Sequence, residues 1–144
     1  MTEKMEAILA MPQLKVIQPD GWLRPPGLSW GMAASAGQIV TVAGQLATVN
    51  GAMNVAPGLD FVAQYRQALQ NVVEVVTAAG GAPANIAMMR AYVRDIEAFK
   101  QGGAGLRDAW MSTIGKHFPP MTMVQVVMLF DPNALVEIDA VAVI

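Results

Sequence analysis

Residues 86–93 read Ile-Ala-Met-Met-Arg-Ala-Tyr-Val, and the predicted fold is built around them. It follows Pro83 and carries one charge, on Arg90. Alternate residues of a strand point to opposite sides of its sheet. One side would carry Ile86, Met88, Arg90 and Tyr92, and the other Ala87, Met89, Ala91 and Val93. Because both sides are mostly apolar, the stretch predicts a central strand.

The segment before this strand predicts a long helix. Asp60 is a suitable N-cap, and Gly80-Gly81 ends the pattern. Apolar residues recur along one helical face at Phe61, Tyr65, Leu69, Val72, Val76 and Ala79. This spacing predicts a helix that packs against a sheet.

Two strands are predicted nearer the N-terminus, Met11–Gln18 and Gln38–Leu46, and Pro19-Asp20-Gly21 supplies a turn after the first. Asn50-Gly51 follows the second strand, and both residues tolerate positive φ. We therefore expect a hairpin whose other strand is Ala52–Val55.

Three elements are predicted after the central strand: a helix at Ala104–Ile114, a strand at Thr122–Leu129 and a last strand at Ala134–Val143. Glycines at 102, 103 and 105 weaken the start of the helix by up to about 1 kcal/mol each relative to alanine. Pro119-Pro120 forces an extended entry into the first strand, and Asp131-Pro132-Asn133 turns the chain into the second.

This order predicts an α+β fold in one domain, residues 1–144, with a single mixed sheet that carries two helices on one face. Hydrophobic residues make up 54% of the chain and charged residues only 14%. So few charges leave much apolar surface on a monomer. We expect the uncovered sheet face to contact further subunits.

Composition excludes several classes of protein. The uncharged stretch from Pro25 to Leu59 is broken by glycine, proline and amide residues, so it is typical of buried strand and loop rather than of a membrane span. The N-terminus lacks the layout of a secretory signal, and we expect a cytoplasmic protein. Net charge is −2 and the basic residues are scattered, which disfavours binding to nucleic acid.

The chain has no cysteine and a single histidine, His117. Disulfides, thiolate catalysis and thiolate-bound zinc are therefore excluded. No group of carboxylates has metal-ligand spacing, so we expect neither a metal nor another cofactor.

An ordered series of motifs resembles the RidA/YjgF family from about Trp30 to Val143. The residues that carry the resemblance are Val42-Ala43-Gly44-Gln45, Asp60-Phe61, Gln64, Gln67-Ala68-Leu69, Asn71-Val72, Ala79-Gly80, Tyr92-Val93, Asp95, Phe99, Phe118-Pro119, Val136-Glu137-Ile138 and Ala140. The resemblance implies a chorismate-mutase-like fold, a homotrimer, and ligand clefts between neighbouring subunits. It also implies hydrolysis of small reactive enamines or imines to keto acids and ammonia.

The chain departs from the family at the substrate site. Active members carry an arginine after the Phe-Pro pair that grips the substrate carboxylate, and here that position is Met121. Gly103 stands where the family has an asparagine, Met123 where it has a cysteine, and Trp30 where a tyrosine is frequent. Glu137 alone remains at the position thought to orient the attacking water.

The predicted cleft is lined by Trp30, Gly44, Met121, Thr122, Met123 and Glu137. Glu137 would exchange protons with water and the departing ammonia, with a pKa raised by burial. Alternatively, Glu137 and Asp139 pair with Arg90 or with a backbone donor at the subunit interface. Thr122 would contact a ligand or be an ordinary strand residue, and the two methionines would line the cleft or only fill it.

Two further positions have a functional and a structural reading. His117 would supply a cation or a base, or be a solvated residue at a helix end. Gly44 would present its backbone to a ligand, or allow tight packing of strands.

The leading functional hypothesis is hydrolytic deamination, or a related hydration or tautomerisation, of a small enamine-like metabolite without the usual recognition of a 2-imino acid. The alternative is a non-catalytic trimer that binds a small ligand or a partner protein through the same cleft. A third reading, ribonuclease or translation inhibitor, is attached to some relatives of the family. The acidic pI, near 5.2, and the absence of a basic patch argue against it.

Overall fold

The computed structural model describes residues 2–10, 14–27 and 29–144. Their helices and strands are, in chain order, α1 (Glu3–Ala10), β1 (Leu14–Ile17), β2 (Gly31–Ala34), β3 (Ile39–Gln45), α2 (Phe61–Ala78), β4 (Ile86–Val93), α3 (Ile96–Gln101), α4 (Gly103–Thr113), β5 (Met121–Gln125) and β6 (Val136–Val143). A 3-10 turn, Pro83–Asn85, leads into β4. No helix in these ranges is both long enough and apolar enough to span a membrane.

The main sheet has the strand order β3-β6-β4-β5. Strand β4 runs antiparallel to β6 and parallel to β5, while β3 is antiparallel to β6. The sheet is therefore mixed, and the prediction that residues 86–93 form a central strand is confirmed. The chain has a mixed α+β fold, as predicted.

The prediction of a single sheet is wrong. Strands β1 and β2 pair with each other, from Leu14 opposite Ala34 to Ile17 opposite Gly31, and form a separate two-stranded sheet. The turn predicted after the first strand is present, because Trp22 N donates to Pro19 O at 3.2 Å and Gly21 has a φ of 78°. The part of the predicted first strand at residues 11–13 lies outside the described residues.

Helix α2 begins where its cap predicts, because Asp60 Oδ1 accepts a hydrogen bond from Ala63 N at 2.8 Å. Leu69, Val72 and Val76 on α2 are fully buried against the sheet. Burial of such a side chain contributes about 1.5–3 kcal/mol relative to exposure. The apolar stripe therefore fixes α2 on one face of the sheet.

The residues of β4 and β6 alternate between this core and the other sheet face. Met89, Ala91 and Val93 on β4 are buried, as are the even-numbered residues of β6 from Val136 to Ala142. Ile86 is also buried, which differs from the prediction that it shares a face with Met88. An irregularity between these two residues in the pairing of β4 with β6 shifts the alternation.

The chain has four helices in its described part, whereas two were predicted. Helix α3 begins after Asp95, whose Oδ1 accepts a hydrogen bond from Glu97 N at 2.9 Å. Gly103 begins α4 with a φ of 48°, a conformation that separates the two helices. The glycines that weaken the start of the predicted helix thus mark the break between α3 and α4.

The predicted hairpin strand Ala52–Val55 is not formed. Asn50 and Gly51 adopt positive φ, and Ala52 N donates to Val49 O at 3.0 Å, so the turn itself is correct. Val55 N then donates to Asp131 Oδ2 at 3.1 Å rather than to a strand. Val55 instead packs in a small second core, whose other buried residues are Ala47, Leu129 and Ala134.

Two predicted strands are longer than the observed ones. Strand β5 begins at Met121 and ends at Gln125, four residues before the predicted end, and β6 begins at Val136 rather than at Ala134. Val127 is 92% exposed and Leu129 belongs to the second core, so the chain has left the sheet there.

Candidate functional site

The sheet face opposite α2 and α4 holds the polar residues of the central strands. We call this surface the open face and define it by Arg90, Tyr92, Thr122, Glu137 and Asp139. Strand pairing places Tyr92 opposite Glu137, and Arg90 opposite both Asp139 and Thr122. The predicted alternation of Glu137 and Asp139 on one face of β6 is confirmed.

Asp139 is held in an ion pair. Arg90 Nε lies 2.9 Å from Asp139 Oδ1, and Tyr92 Oη donates to Asp139 Oδ2 at 3.3 Å. The hydrogen bond to Asp139, and then its charge, raise the pKa of Arg90 above its ordinary value. For Asp139 the structural alternative is therefore the observed one, because both of its carboxylate oxygens are engaged.

Glu137 differs from Asp139 because it makes no hydrogen bond or ion pair in the described ranges 2–10, 14–27 and 29–144. Its side chain is half-buried on the open face. Partial burial raises the pKa of Glu137, and the nearby charge of Asp139 raises it further. Both causes disfavour the ionised form, so Glu137 can hold or release a proton closer to neutral pH than an exposed glutamate.

Gly44 lies directly against Glu137. A Cβ atom at position 44 would overlap Oε1 of Glu137 and would lie 2.8 Å from its Cδ. A β-bulge brings the two residues together, because the pairing of β3 with β6 gains one residue between Val42 and Gln45. The backbone of the bulge thus forms one wall beside the carboxylate.

Two adjoining cavities meet at Gly44 and Glu137. The first, of about 460 Å³, extends under the loop after β3 and includes Thr48 and Met53. The second, of about 330 Å³, includes Tyr92 and Asp139 on the open face. Phe130 lines both. Glu137 therefore stands between two spaces that a small molecule could occupy.

Buried polar residues hold the loops around these cavities, and no functional role was predicted for them. Asn71 Nδ2 donates to Leu46 O at 3.0 Å and to Thr48 O at 2.8 Å. Gln64 donates to Asn133 O at 3.0 Å and accepts from Leu135 N at 2.8 Å. Both residues are buried within the apolar face of α2. Gln64 and Asn71 are seven residues apart on the apolar stripe of α2, and two side-chain amides at such positions are a sequence signal for buried hydrogen-bonding residues.

The structure does not bring all predicted site residues together within one subunit. Met121 and Met123 pack partly against the main core, on the helix side of the sheet. Thr122 is exposed on the open face, two strands away from Glu137. Trp30 lies in the N-terminal sheet region, where Nε1 donates to Leu23 O at 2.9 Å. Among the described residues of the predicted site, Gly44 and Glu137 line the same cavity.

His117 is held by the backbone and does not line the cavities beside Glu137. Its Nε2 lies 2.6 Å from Ile86 O, and because a carbonyl only accepts, this nitrogen carries the proton. Trp110 Nε1 donates to His117 O at 3.2 Å. These contacts give the histidine a structural role, but its ring is half-buried and bonded to the backbone rather than solvated, as the structural alternative had it.

The described residues contain no cluster of three or more histidine, cysteine, aspartate or glutamate side chains that could hold a metal ion. A carboxyl group with a raised pKa beside an exposed backbone and two cavities can transfer protons to and from a small bound molecule.

The fold and this carboxylate define the chain as an α+β protein with both large helices on one sheet face and an acid–base candidate on the other. The family model described as endoribonuclease L-PSP matches residues 24–144, so the chain belongs to that family. The resemblance to RidA/YjgF proteins is thereby confirmed. No match was found among curated protein sequences.

Solved structures of family members agree. The chain is 28% identical to YyfB of Yersinia pestis, a protein of the Rid family. The match covers 91% of this chain and 98% of YyfB, with a TM-score of 0.74. It is 32% identical to the YjgF gene product of E. coli, in a match that covers 74% of this chain and 81% of YjgF with a TM-score of 0.62. It is 25% identical to E. coli TdcF, whose structure contains bound serine, in a match that covers 90% of this chain and 98% of TdcF with a TM-score of 0.62.

Proposed function

We propose that this protein hydrolyses a small enamine- or imine-type metabolite, or catalyses a related hydration or tautomerisation, with Glu137 as the group that transfers protons. The observation that carries the proposal is the Glu137 carboxyl itself. It is half-buried, unpaired in the described chain, and in contact with Gly44 between two cavities. Asp139 cannot take this role as readily, because Arg90 and Tyr92 occupy its oxygens.

In the proposed reaction, an enamine first takes a proton from water at carbon and becomes an iminium ion, which leaves hydroxide. Ionised Glu137 then accepts a proton from a second water as that water's oxygen bonds to the iminium carbon and the C=N π electrons return to nitrogen. Protonated Glu137 returns the proton to the nitrogen of the resulting carbinolamine, the C–N bond breaks and ammonia leaves. The hydroxyl proton passes to the hydroxide from the first step, and the carbonyl product forms. The raised pKa of Glu137 suits both steps, because a carboxyl group that holds its proton more readily can accept the proton and return it.

We further propose that the functional unit is a homotrimer with a cleft between subunits. Exposed apolar side chains support this, since Phe130 is 83% and Ile39 is 71% exposed. Glu137 and Gly44 lie on one side of the sheet, and Met121 and Met123 pack towards the other. A single cleft would therefore combine the first pair of one subunit with Met121, Met123 and Trp30 of a neighbour. Thr122 would contribute a hydroxyl from the open face.

The substrate we propose is not a typical 2-imino acid. Methionine at position 121 provides neither charge nor hydrogen-bond donor, so it cannot replace the bidentate grip of an arginine on a carboxylate. The loss of such a contact costs on the order of a thousandfold in rate. Met121→Arg alone should restore little activity on 2-imino acids, because the residues at Gly103 and Met123 also depart from the family pattern.

The test compares ammonia release from freshly generated 2-aminoacrylate, which yields 2-iminopropionate, with release from small neutral enamines. We expect negligible acceleration with the former and turnover with at least one of the latter. A rate on 2-iminopropionate typical of active RidA proteins would overturn the proposed substrate class. Light scattering should give a mass near three times 15.3 kDa, and a mass of one chain at micromolar concentration would overturn the trimer.

A second candidate function, a non-catalytic trimer that binds a small ligand or a partner protein, is favoured by the loss of the family's residues at Met121, Gly103 and Met123. It predicts a ligand bound in the cleft without turnover of any enamine or imine. Nucleic acid is not a proposed partner, because net charge is −2 and pI is near 5.2.

A further inference from the structure

A further cavity lies on the helix side of the sheet, away from Glu137. It has a volume of about 390 Å³, and we call it the helix-side pocket. Four aromatic rings line it, those of Tyr65, Phe99, Trp110 and Phe118, together with Arg107 and Met121. A concave space of this size with mostly aromatic walls is typical of a site for a small organic molecule.

The aromatic walls are mutually packed. Trp110 and Phe118 are stacked, with ring centroids 6.1 Å apart and an interplanar angle of 8°. Tyr65 and Phe99 meet edge to face at 6.1 Å and 69°. The indole N–H of Trp110 already donates to His117 O. The rings therefore form a preformed apolar space, and Tyr65 and Arg107 are its available polar side chains.

The hydroxyl of Tyr65 has no hydrogen-bond partner among the residues that the structure describes. Tyr65 is only 4% exposed, yet its hydroxyl makes no hydrogen bond in the described ranges. Every fully enclosed side-chain nitrogen or oxygen of the described residues does have a partner. The hydroxyl must therefore reach accessible space, and the space that Tyr65 lines is the helix-side pocket. Burial also raises the pKa of Tyr65, so the hydroxyl stays a donor.

Arg107 supplies a positive charge at the same pocket. It is exposed on α4 and makes no ion pair or hydrogen bond within the described part of the chain. No acidic side chain is found among the described residues that line the pocket. A free guanidinium and a tyrosine hydroxyl are two donors suited to one carboxylate.

We propose that the helix-side pocket binds a small aromatic carboxylic acid, with the ring among the four aromatic side chains and the carboxylate between Tyr65 and Arg107. The pocket shares Met121 with the proposed cleft, but its two polar groups are not part of that cleft. The inference therefore does not depend on the enamine or imine chemistry proposed for Glu137.

Isothermal titration calorimetry with phenylacetate tests this proposal. We expect the wild-type protein to bind phenylacetate at least tenfold more tightly than the neutral phenylacetamide, since charge-assisted hydrogen bonds would be lost with the amide. Tyr65→Phe, which removes only the hydroxyl, and Arg107→Gln should each weaken binding about tenfold. Arg66→Gln is the matched control, because Arg66 bonds Ser112 and does not line the pocket.

The Trp110 indole N–H resonance should shift on titration with phenylacetate, and Glu137→Gln should bind phenylacetate as the wild type does. The proposal is overturned if millimolar phenylacetate does not bind to the folded wild-type protein. It is also overturned if both Tyr65→Phe and Arg107→Gln bind with unchanged affinity. Loss of binding in Glu137→Gln would assign the ligand to the open face instead.

Discussion

The side chain of Glu137 lies so close to the backbone of Gly44 that a Cβ atom at position 44 would be 2.8 Å from Glu137 Cδ and 3.1 Å from its Cγ. A glycine is therefore required at the bulge of β3 if the carboxylate is to keep its position. Gly44 does not have a positive φ, so the requirement comes from space and not from backbone conformation.

Gly44→Ala should displace the Glu137 carboxylate and lower turnover by roughly a hundredfold, since a shift of about 1 Å in a catalytic group can cost that much. Stability should change by less than about 1 kcal/mol, because the half-buried glutamate can rotate away. Kinetics and urea unfolding of the variant measure the two effects. Gly105→Ala, a similar change on α4 beside Val62, is the control and should leave turnover unchanged.

The ionisation of Glu137 should make the protein less stable as pH rises, which is the opposite of the effect of a carboxyl group whose pKa is lowered by folding. Its pKa is raised in the native state, so protonated Glu137 is favoured by folding and its contribution is fully present below the unfolded-state pKa. That contribution is lost as pH rises through the raised native pKa. Glu137→Gln removes the ionisation, so the variant should gain stability relative to the wild type between pH 4 and pH 7.

Urea unfolding at both pH values measures this difference. Glu97→Gln serves as the control, because Glu97 is exposed and its Oε1 lies 3.0 Å from Lys100 Nζ. This variant is not expected to gain stability relative to the wild type between pH 4 and pH 7. If the stability of Glu137→Gln relative to wild type were the same at pH 4 and pH 7, or fell at pH 7, the environment inferred for Glu137 would be wrong.

Asn71 should be important for the loop that lines the larger cavity. Asn71→Ala removes the amide donor to Leu46 O and to Thr48 O. Leu46 O still accepts a hydrogen bond from Thr48 N at 2.8 Å, so Thr48 O is the carbonyl that loses its donor. We expect a loss of about 1–3 kcal/mol in the free energy of unfolding, which is the cost of leaving such a group without a partner. The exposed Gln70→Ala on the same helix should change stability by under about 0.5 kcal/mol. Equal effects of the two variants would contradict the anchoring role.

Local sequence signals predicted much of the main sheet and of α2. The Asp60 cap, the apolar stripe of α2 and the alternation in residues 86–93 each act within a few residues, and the structure follows them. The strand at Ala52–Val55 failed because Val55 is bound by Asp131, which is 76 residues away in sequence. The short α3 was missed because its six residues carry too little periodicity to distinguish it from a loop.

The candidate site was predictable only in part, because some of its contacts join residues that are far apart in sequence. The alternation of β6 indicated that Glu137 and Asp139 share a face, and the ion pair of Asp139 with Arg90 was among the alternatives. The contact of Glu137 with Gly44 depends on a bulge in the pairing of β3 with β6, which no local pattern announces. Tyr65 was predicted as part of the apolar stripe of α2. That its hydroxyl has no partner among the described residues follows only from tertiary packing.

The most direct test of the account is the turnover of Glu137→Gln on a neutral enamine that the wild-type protein hydrolyses, measured together with the mass of the assembly and the affinity for the substrate. The amide keeps the shape of the side chain but cannot exchange the proton. We therefore expect an intact trimer, unchanged affinity and turnover lowered by roughly a hundredfold or more. If the variant instead dissociated while each remaining trimer kept wild-type activity, Glu137 would have a structural role and the proposed catalytic function would be contradicted.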